Sequence, residues 1–119
     1  MTKAQREQVR MKFGGRCAYC GCELEKGWCA DHVLSVGRNP SGGMDRPQND
    51  RIENLFPACR VCNYAKHDGS IEAFRKSIQD QVKRARAESW NFRMAEKYGL
   101  VQISEHPIVF HFETYDRNR

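Results

Sequence analysis

The chain has 119 residues, enough for one small domain, and its 20 basic and 15 acidic residues give a net charge of +5. This positive balance favours a polyanionic partner. No run approaches the ~20 apolar residues of a membrane span, and the first residues lack the apolar run of a signal peptide, so the sequence predicts a cytoplasmic protein without membrane contact. In a reducing compartment, six cysteines favour metal ligands over disulfides.

The first predicted element is a helix of roughly three turns at the N-terminus. Thr2 and Gln5 have the spacing of a capping box, and Val9 and Phe13 lie four residues apart, on one face. The pair of glycines that begins at Gly14 is expected to end this helix.

Two short strands and a long loop follow. Residues 28–34 are rich in strand formers, and we expect a strand that ends at or just after Asp31-His32. Residues 35–50 are rich in glycine, proline and asparagine and are predicted to form a loop. Residues 54–57 are predicted to form the second strand.

The rest of the chain is predicted to be mainly helical. Residues 60–67 form a short helix, and Ser70 caps a longer helix whose apolar stripe runs to Ala85. A bend or break is possible near Ser89, before a further helical stretch. The alternating apolar residues of 101–112 predict one or two strands at the end.

The cysteines contain two pairs with the Cys-x-x-Cys spacing, Cys17 with Cys20 and Cys59 with Cys62. Two such pairs are typical of a four-thiolate structural zinc site. Four protein ligands leave no open position for water, so this zinc is expected to be structural and any reaction to occur elsewhere. Closing the site would bring the two ends of the intervening segment together.

The order of Asp31-His32, Asn54-Leu55 and Cys59-x-x-Cys62-Asn63-x-x-Lys66, framed by Cys17-x-x-Cys20, resembles the zinc-knuckle branch of the HNH endonuclease family. The resemblance implies a ββα-metal core at residues 13–69. We therefore expect an α+β fold: a small zinc-stapled core with an N-terminal helix, a long C-terminal helix and C-terminal β-strands. Residues 1–119 are expected to form a single domain, in which residues 70–119 are a basic helical and strand extension.

The resemblance also implies roles for individual residues. His32 is the general base, and Asp31 and Asn63 hold a catalytic divalent ion, Mg²⁺ or alternatively Mn²⁺ or another divalent ion. Asn54 is expected to brace the loop by hydrogen bonds and so to orient His32. His67 lies four residues after Asn63 on the same helix face, and two interpretations stay open: a further ligand of the ion, or a surface histidine at a helix end.

The partner implied by the resemblance is DNA, cut to 5′-phosphate and 3′-hydroxyl ends. The small size resembles phage or restriction-associated members, which implies the cytoplasm of a bacterial or phage-infected cell. The sequence is compatible with a monomer or a homodimer. The residues expected to contact the nucleic acid are basic, although each could instead be a solvated surface charge: Arg38, Arg51, Lys66, Arg75 and Lys76.

A different class of function also accounts for the cysteines and the charge. A non-catalytic zinc-ribbon-like module that binds nucleic acid or protein needs only those features. It leaves Asp31, His32, Asn54 and Asn63 unexplained. A ribonuclease, or a nuclease for branched DNA, would share the same catalytic centre, and substrate comparison would distinguish them.

Overall fold

The computed structural model describes residues 1–115, and these fall into two compact units. The first unit contains residues 1–71 together with 109–115, and the second contains residues 72–108. Within the described residues, no helix is both long enough and apolar enough to cross a membrane.

Helix α1 spans Lys3–Arg10 and continues as a single 3-10 turn, Met11–Phe13. The predicted capping box is present: the Gln5 backbone N–H donates to the Thr2 hydroxyl at 3.1 Å, and the Thr2 N–H donates to the Gln5 side chain at 2.8 Å. Gly14 ends the segment with a φ of 74°, a left-handed conformation that glycine adopts without a steric penalty.

The sheet of the first unit has two antiparallel strands, β1 at Cys29–His32 and β2 at Leu55–Ala58. Both were predicted to within a few residues. The register sets Asp31 opposite Phe56. Because successive side chains of a strand alternate, Asp31 and His32 lie on opposite faces of β1.

Helix α2 spans Arg60–Lys66 and follows β2 directly. The Cys59 thiol caps it by accepting the Cys62 backbone N–H at 3.4 Å. The helix ends at His67, which has a φ of 55°, an uncommon value for a residue other than glycine. Strands β1 and β2 and helix α2 therefore form a ββα unit, and the predicted α+β class is confirmed.

An aromatic cluster fills the core of the first unit. The ring centroids of Phe13 and Phe56 lie 5.0 Å apart, those of Phe56 and Phe112 lie 5.0 Å apart, and those of Tyr19 and Phe110 lie 5.3 Å apart. These separations are typical of favourable aromatic contacts. The cluster joins α1, β2, the first cysteine pair and the end of the described chain.

The helical part of the chain is more broken than predicted. Two helices, α3 at Ile71–Gln79 and α4 at Gln81–Glu88, replace the predicted long helix, and α5 at Trp90–Lys97 corresponds to the further helical stretch. The first break lies at Asp80, a residue of weak helix propensity whose ψ of −1° departs from helical geometry. The break expected near Ser89 is present, where the Ser89 hydroxyl caps α5.

The predicted C-terminal strands are wrong. Residues 101–115 contain no strand, and the last helix, α6, spans His111–Thr114. The backbone N–H groups of His111 and Phe112 donate to the carbonyls of Tyr19 and Ala18 at 3.0 and 2.8 Å. Their partners therefore lie between the two cysteines of the first pair and not in a neighbouring strand. The end of the predicted extension, residues 116–119, lies outside the described residues.

Candidate active site and metal centre

The two cysteine pairs meet in the first unit. The sulfurs of Cys17, Cys20, Cys59 and Cys62 all lie within 4.8 Å of one another, and those of Cys20 and Cys59 are 3.9 Å apart. A tetrahedral zinc site with ~2.3 Å bonds requires sulfur separations of about 3.8 Å. The four thiols can therefore hold one metal ion without a large rearrangement.

The electrostatics of these thiols favours a bound cation. A hydrogen bond from the Cys62 thiol is the main cause that lowers the pKa of Cys17 to about 4, and the same bond raises the pKa of Cys62. Adjacent thiolates repel one another, so the group cannot ionise fully by itself. A divalent cation removes this repulsion, so the cation competes with protons for the sulfur atoms.

The backbone around the first pair forms a tight turn, a zinc knuckle. Gly21 has a φ of 79°, and its N–H donates to the Cys17 carbonyl at 3.1 Å. The Tyr19 N–H approaches the Cys17 sulfur at 3.4 Å. Ala18 donates to the Pro57 carbonyl at 2.8 Å, so the knuckle is attached to β2.

Beside this centre lies a cleft of about 730 Å³ in the first unit. Its lining brings together five of the residues singled out from the sequence: Asp31, His32, Arg38, Asn63 and His67. Strand β1 supplies the first two, and helix α2 and its end supply the last two. The ββα unit therefore brings to one cleft residues that are up to 36 positions apart, counted as 67 minus 31.

Asp31 is held by other residues of the chain. Its side chain is 3% exposed, the Tyr19 hydroxyl donates to it at 2.5 Å, and the Lys66 ammonium lies 3.2 Å away. Burial is the largest influence on the carboxyl group and raises its pKa, against the opposing effects of Tyr19 and Lys66. A cation that binds Asp31 must therefore compete with the ammonium group of Lys66.

His32 faces a different partner. Its Nε2 lies 2.9 Å from an Asp50 carboxylate oxygen, and its side chain is 21% exposed. Its backbone carbonyl accepts the Lys66 ammonium at 3.2 Å. The imidazole also borders a second, smaller pocket with Asp50 and Arg51.

Asn54 connects the two ends of the long loop. Its side chain accepts the Leu34 N–H at 2.9 Å, and its amide group donates to the carbonyls of Leu34 at 2.9 Å and Asn49 at 2.7 Å. The residue is 6% exposed and does not line the cleft. These bonds join the segment after His32 to the segment before Asp50.

Among the described residues, the cleft contains no cluster of three or more His, Cys, Asp or Glu side chains close enough together to bind one metal ion. Within residues 1–115, the four cysteines are the compact set of three or more His, Cys, Asp or Glu ligand atoms. The His67 side chain is 84% exposed, and its nearest charged partner is Asp68 at 3.8 Å. Asn63 is half-buried in the cleft wall.

The basic residues expected to contact nucleic acid differ in their placement. Arg38 is exposed in the cleft, and Arg51 is exposed in the pocket beside His32. Lys66 does not fit the prediction, because its side chain is fully buried against Asp31 and cannot reach a phosphate on the surface.

Arg75 and Lys76, the two residues of the second unit that were predicted to contact nucleic acid, also differ in their surroundings. The Arg75 side chain is 17% exposed, pairs with Glu72 at 2.9 Å and donates to the Ile108 carbonyl at 2.6 Å. These contacts give it an internal structural role. Lys76 is 70% exposed and forms an ion pair with Asp80 at 2.8 Å.

Several residues at the site were missed from the sequence. Asp50, Arg60, Tyr64 and Asp68 line the cleft or the adjoining pocket, and Tyr19 binds Asp31. The spacing of Arg60 and Tyr64 on the predicted helix, four residues apart, was a usable signal. Asp50 lies in a loop without periodicity, and no local pattern distinguishes it.

Comparison with known proteins identifies the same segment. The sequence profile of the HNH endonuclease family matches residues 17–69. The chain is 30% identical over 83 residues to the SPbeta prophage-derived protein YoqL of Bacillus subtilis (strain 168), which carries a provisional HNH endonuclease name. The match covers 65% of this chain and 34% of that relative, so the chain corresponds to about a third of it.

No solved structure matches the chain significantly. The family match begins at the first cysteine of the metal centre and ends two residues after His67, so it encloses both cysteine pairs, both strands and helix α2. Residues 17–69, a little under half of the chain, therefore match the HNH endonuclease family in sequence.

Proposed function

We propose that this protein is a metal-dependent endonuclease that hydrolyses phosphodiester bonds of DNA. The observation that carries the proposal is the single cleft lined by Asp31, His32 and Asn63, next to a four-cysteine metal centre. An imidazole and oxygen ligands are the groups that this reaction needs, the first as a proton acceptor for water and the others to hold a counter-charge for the phosphate.

In the proposed mechanism, His32 accepts a proton from a water molecule as its oxygen attacks phosphorus. The bond between phosphorus and the 3′ oxygen breaks, and that oxygen takes a proton from solvent. The products are a 5′-phosphate and a 3′-hydroxyl end. A neutral imidazole, with an ordinary pKa of about 6.5, is a suitable base at cellular pH.

Two kinds of metal ion belong to the proposal. Cys17, Cys20, Cys59 and Cys62 would hold structural Zn²⁺, which thiolates bind well. Asp31 and Asn63 offer the oxygen ligands that Mg²⁺ or Mn²⁺ prefers, with His67 as a candidate third ligand. When bound, this ion would supply positive charge to the phosphate in the transition state.

The surface of the cleft supports a polyanionic substrate. Arg38 and Arg60 line it, and Tyr64, one helical turn after Arg60, is 87% exposed on the same wall. Guanidinium groups bind phosphates, and an exposed aromatic ring can stack on a base. The net charge of +5 adds long-range attraction.

The test is a plasmid-nicking assay with zinc-loaded protein and added Mg²⁺ or Mn²⁺. We expect the parent to nick DNA and His32→Ala to lose at least about 100-fold in rate, because general-base catalysis contributes about that much or more. His106→Ala is the matched control, since His106 is an exposed histidine of the second unit. Equal activity of parent and His32→Ala would contradict the proposal.

One observation favours the second candidate, a non-catalytic zinc-ribbon-like module that binds nucleic acid. The Asp31 carboxylate already has Lys66 as a buried counter-charge, so it does not require a metal ion for neutralisation. DNA binding by the parent without cleavage in either metal ion would favour this candidate. Parallel assays with RNA and branched DNA would define the substrate of an active protein.

A further inference from the structure

The contact between His32 and Asp50 is not explained by the ββα unit alone. Strand β1 ends at His32, whereas Asp50 lies 18 residues later, at the end of the long loop. Their side chains nevertheless approach to 2.9 Å. Asp50 and His32 both line the smaller pocket, and His32 also lines the cleft.

A set of hydrogen bonds holds the two residues in this arrangement. The buried Asn54 side chain binds Leu34, two residues after His32, and also Asn49, immediately before Asp50. The Asn49 side chain donates to the Ser35 carbonyl at 2.9 Å. The two ends of the loop are therefore fixed to each other beside the His32 ring.

The Asp50 backbone is fixed as well. Its N–H donates to the Pro47 carbonyl at 3.0 Å, where a 3-10 turn at Pro47–Asn49 ends. The carboxylate is thus presented by an ordered turn. It is 49% exposed, so it keeps contact with solvent and retains its capacity to accept hydrogen bonds.

The chemistry of the contact selects one form of the imidazole. An ionised carboxylate only accepts hydrogen bonds, and a neutral imidazole carries its proton on one nitrogen at a time. Pairing with Asp50 therefore places the proton on Nε2 and leaves the lone pair on Nδ1. We propose that Asp50 is a positioning residue that accepts Nε2–H and thereby makes Nδ1 of His32 the nitrogen that takes the proton from water.

This inference rests on the proposed function of His32 as general base. In the reaction, the proton of water moves to Nδ1 and the imidazole becomes an imidazolium. Its Nε2–H remains bonded to Asp50, and no proton passes to the carboxylate. The negative charge of Asp50 stabilises the imidazolium that forms, in addition to orienting the ring.

The first test is spectroscopic and needs no nuclease activity. Zinc-loaded protein labelled with ¹⁵N-histidine, without added Mg²⁺, is measured at about pH 8, above the ordinary pKa of imidazole, by long-range ¹H–¹⁵N correlation. The His32 signals are assigned by their loss in His32→Ala. We expect protonated Nε2 and unprotonated Nδ1 in the parent, and a mixed or reversed pattern in Asp50→Asn.

The second test is kinetic. Asp50→Asn should lower kcat by roughly 10 to 100-fold while KM for DNA stays unchanged, the size of effect expected when a partner that orients a reacting group is lost. Asp45→Asn is the matched control, because Asp45 is an exposed acid of the same loop that bonds to Asn39. It should leave both kcat and the ring-nitrogen signals unchanged.

Each result decides the proposal. Unchanged His32 signals in Asp50→Asn, or an unchanged kcat in an active Asp50→Asn protein, would overturn it. A higher Mg²⁺ requirement with an unchanged maximal rate would make Asp50 a ligand of the ion and also overturn it. If the parent shows no cleavage, the nuclease proposal fails by itself, and the spectra still show whether Asp50 selects the form of the imidazole.

Discussion

The Lys66 ammonium group lies 3.2 Å from the Asp31 carboxylate, and the two side chains are 0% and 3% exposed. Removing charged groups from water is costly, and the pair offsets this cost only while both partners are present. The Tyr19 hydroxyl completes the arrangement by donating to the same carboxylate. This pair connects helix α2 to strand β1 beneath the cleft.

Lys66→Met is expected to destabilise the zinc-saturated protein by about 3–5 kcal/mol near neutral pH, because it leaves a buried carboxylate without its counter-charge. The measurement is urea-induced unfolding at several pH values. Lys76→Met is the control: its ion pair with Asp80 is exposed, so the expected loss is below about 1 kcal/mol.

The sign of the pH dependence follows from Asp31. Burial already raises its pKa above the ordinary 3.8, and loss of Lys66 raises it further. The folded variant then holds the Asp31 proton more tightly than the folded parent does. The stability difference between parent and variant should therefore grow with pH between the raised Asp31 pKa of the folded parent and the still higher Asp31 pKa of the folded variant. A difference that is constant or shrinks over this range would contradict the assignment.

Helix α2 is the element that serves most of the site. Within Arg60–Lys66 it supplies one cysteine of the metal centre, Asn63 of the cleft wall and the buried Lys66. A period of 3.6 residues distributes these side chains over three directions, toward the other cysteines, the cleft and the sheet. The short length of the helix explains why each position carries a separate task.

The outer face of α2 provides a prediction on substrate binding. Tyr64→Ala should raise KM for DNA about 5-fold or more with kcat little changed, because stacking of a base on an aromatic ring contributes about 1–3 kcal/mol. Val61→Ala is the matched control, since Val61 is 78% exposed on the same helix but lies outside the cleft. The rate of hydrolysis of a small aryl phosphodiester should be the same in both variants as in the parent. If Tyr64→Ala lost activity equally on DNA and on the small substrate, the stacking role of Tyr64 would be contradicted.

The elements also show where periodicity misleads. The alternating residues Ile108, Phe110 and Phe112 predicted a strand, but Phe110 and Phe112 pack into the aromatic cluster around a short helix. Alternation of apolar and polar residues indicates which side chains are buried, but it does not indicate which groups the backbone binds by hydrogen bonds. Here the partners are the carbonyls of Ala18 and Tyr19, which lie between the two cysteines of the first pair.

At the scale of the whole molecule, the metal centre joins segments that are distant in the chain. Cys17 and Cys20 lie between α1 and β1, whereas Cys59 and Cys62 begin α2. Closing a loop of this length costs conformational entropy, which the binding of a metal ion by the four cysteines would offset. The fold of the first unit should therefore depend on the metal.

Cys59→Ser is expected to lower the zinc content from about one ion per chain toward zero and to reduce the thermal stability strongly, since a structural zinc contributes ~10 kcal/mol or more to folding. Zinc is measured by elemental analysis and unfolding by circular dichroism. Cys29→Ser is the control, because Cys29 lies outside the four-sulfur group, and it should retain the ion. Retention of a full zinc complement by Cys59→Ser would contradict the four-thiolate assignment.

The sequence by itself determined the features that depend on local spacing. The capping box at Thr2, the two Cys-x-x-Cys pairs and the adjacent Asp31-His32 each follow from neighbours in the chain, and the two strands and helix α2 were predicted close to their observed bounds. Their combined order was specific enough to indicate the family.

Only the tertiary structure decided which side chains meet across long separations. It buried Lys66 against Asp31, 35 residues away, and brought Asp50 to His32, 18 residues away. It also attached residues 111 and 112 by hydrogen bonds to the segment between Cys17 and Cys20. The physical reason is that charge pairing and aromatic packing act between residues in space, and a loop without periodicity leaves no record of those contacts in its sequence.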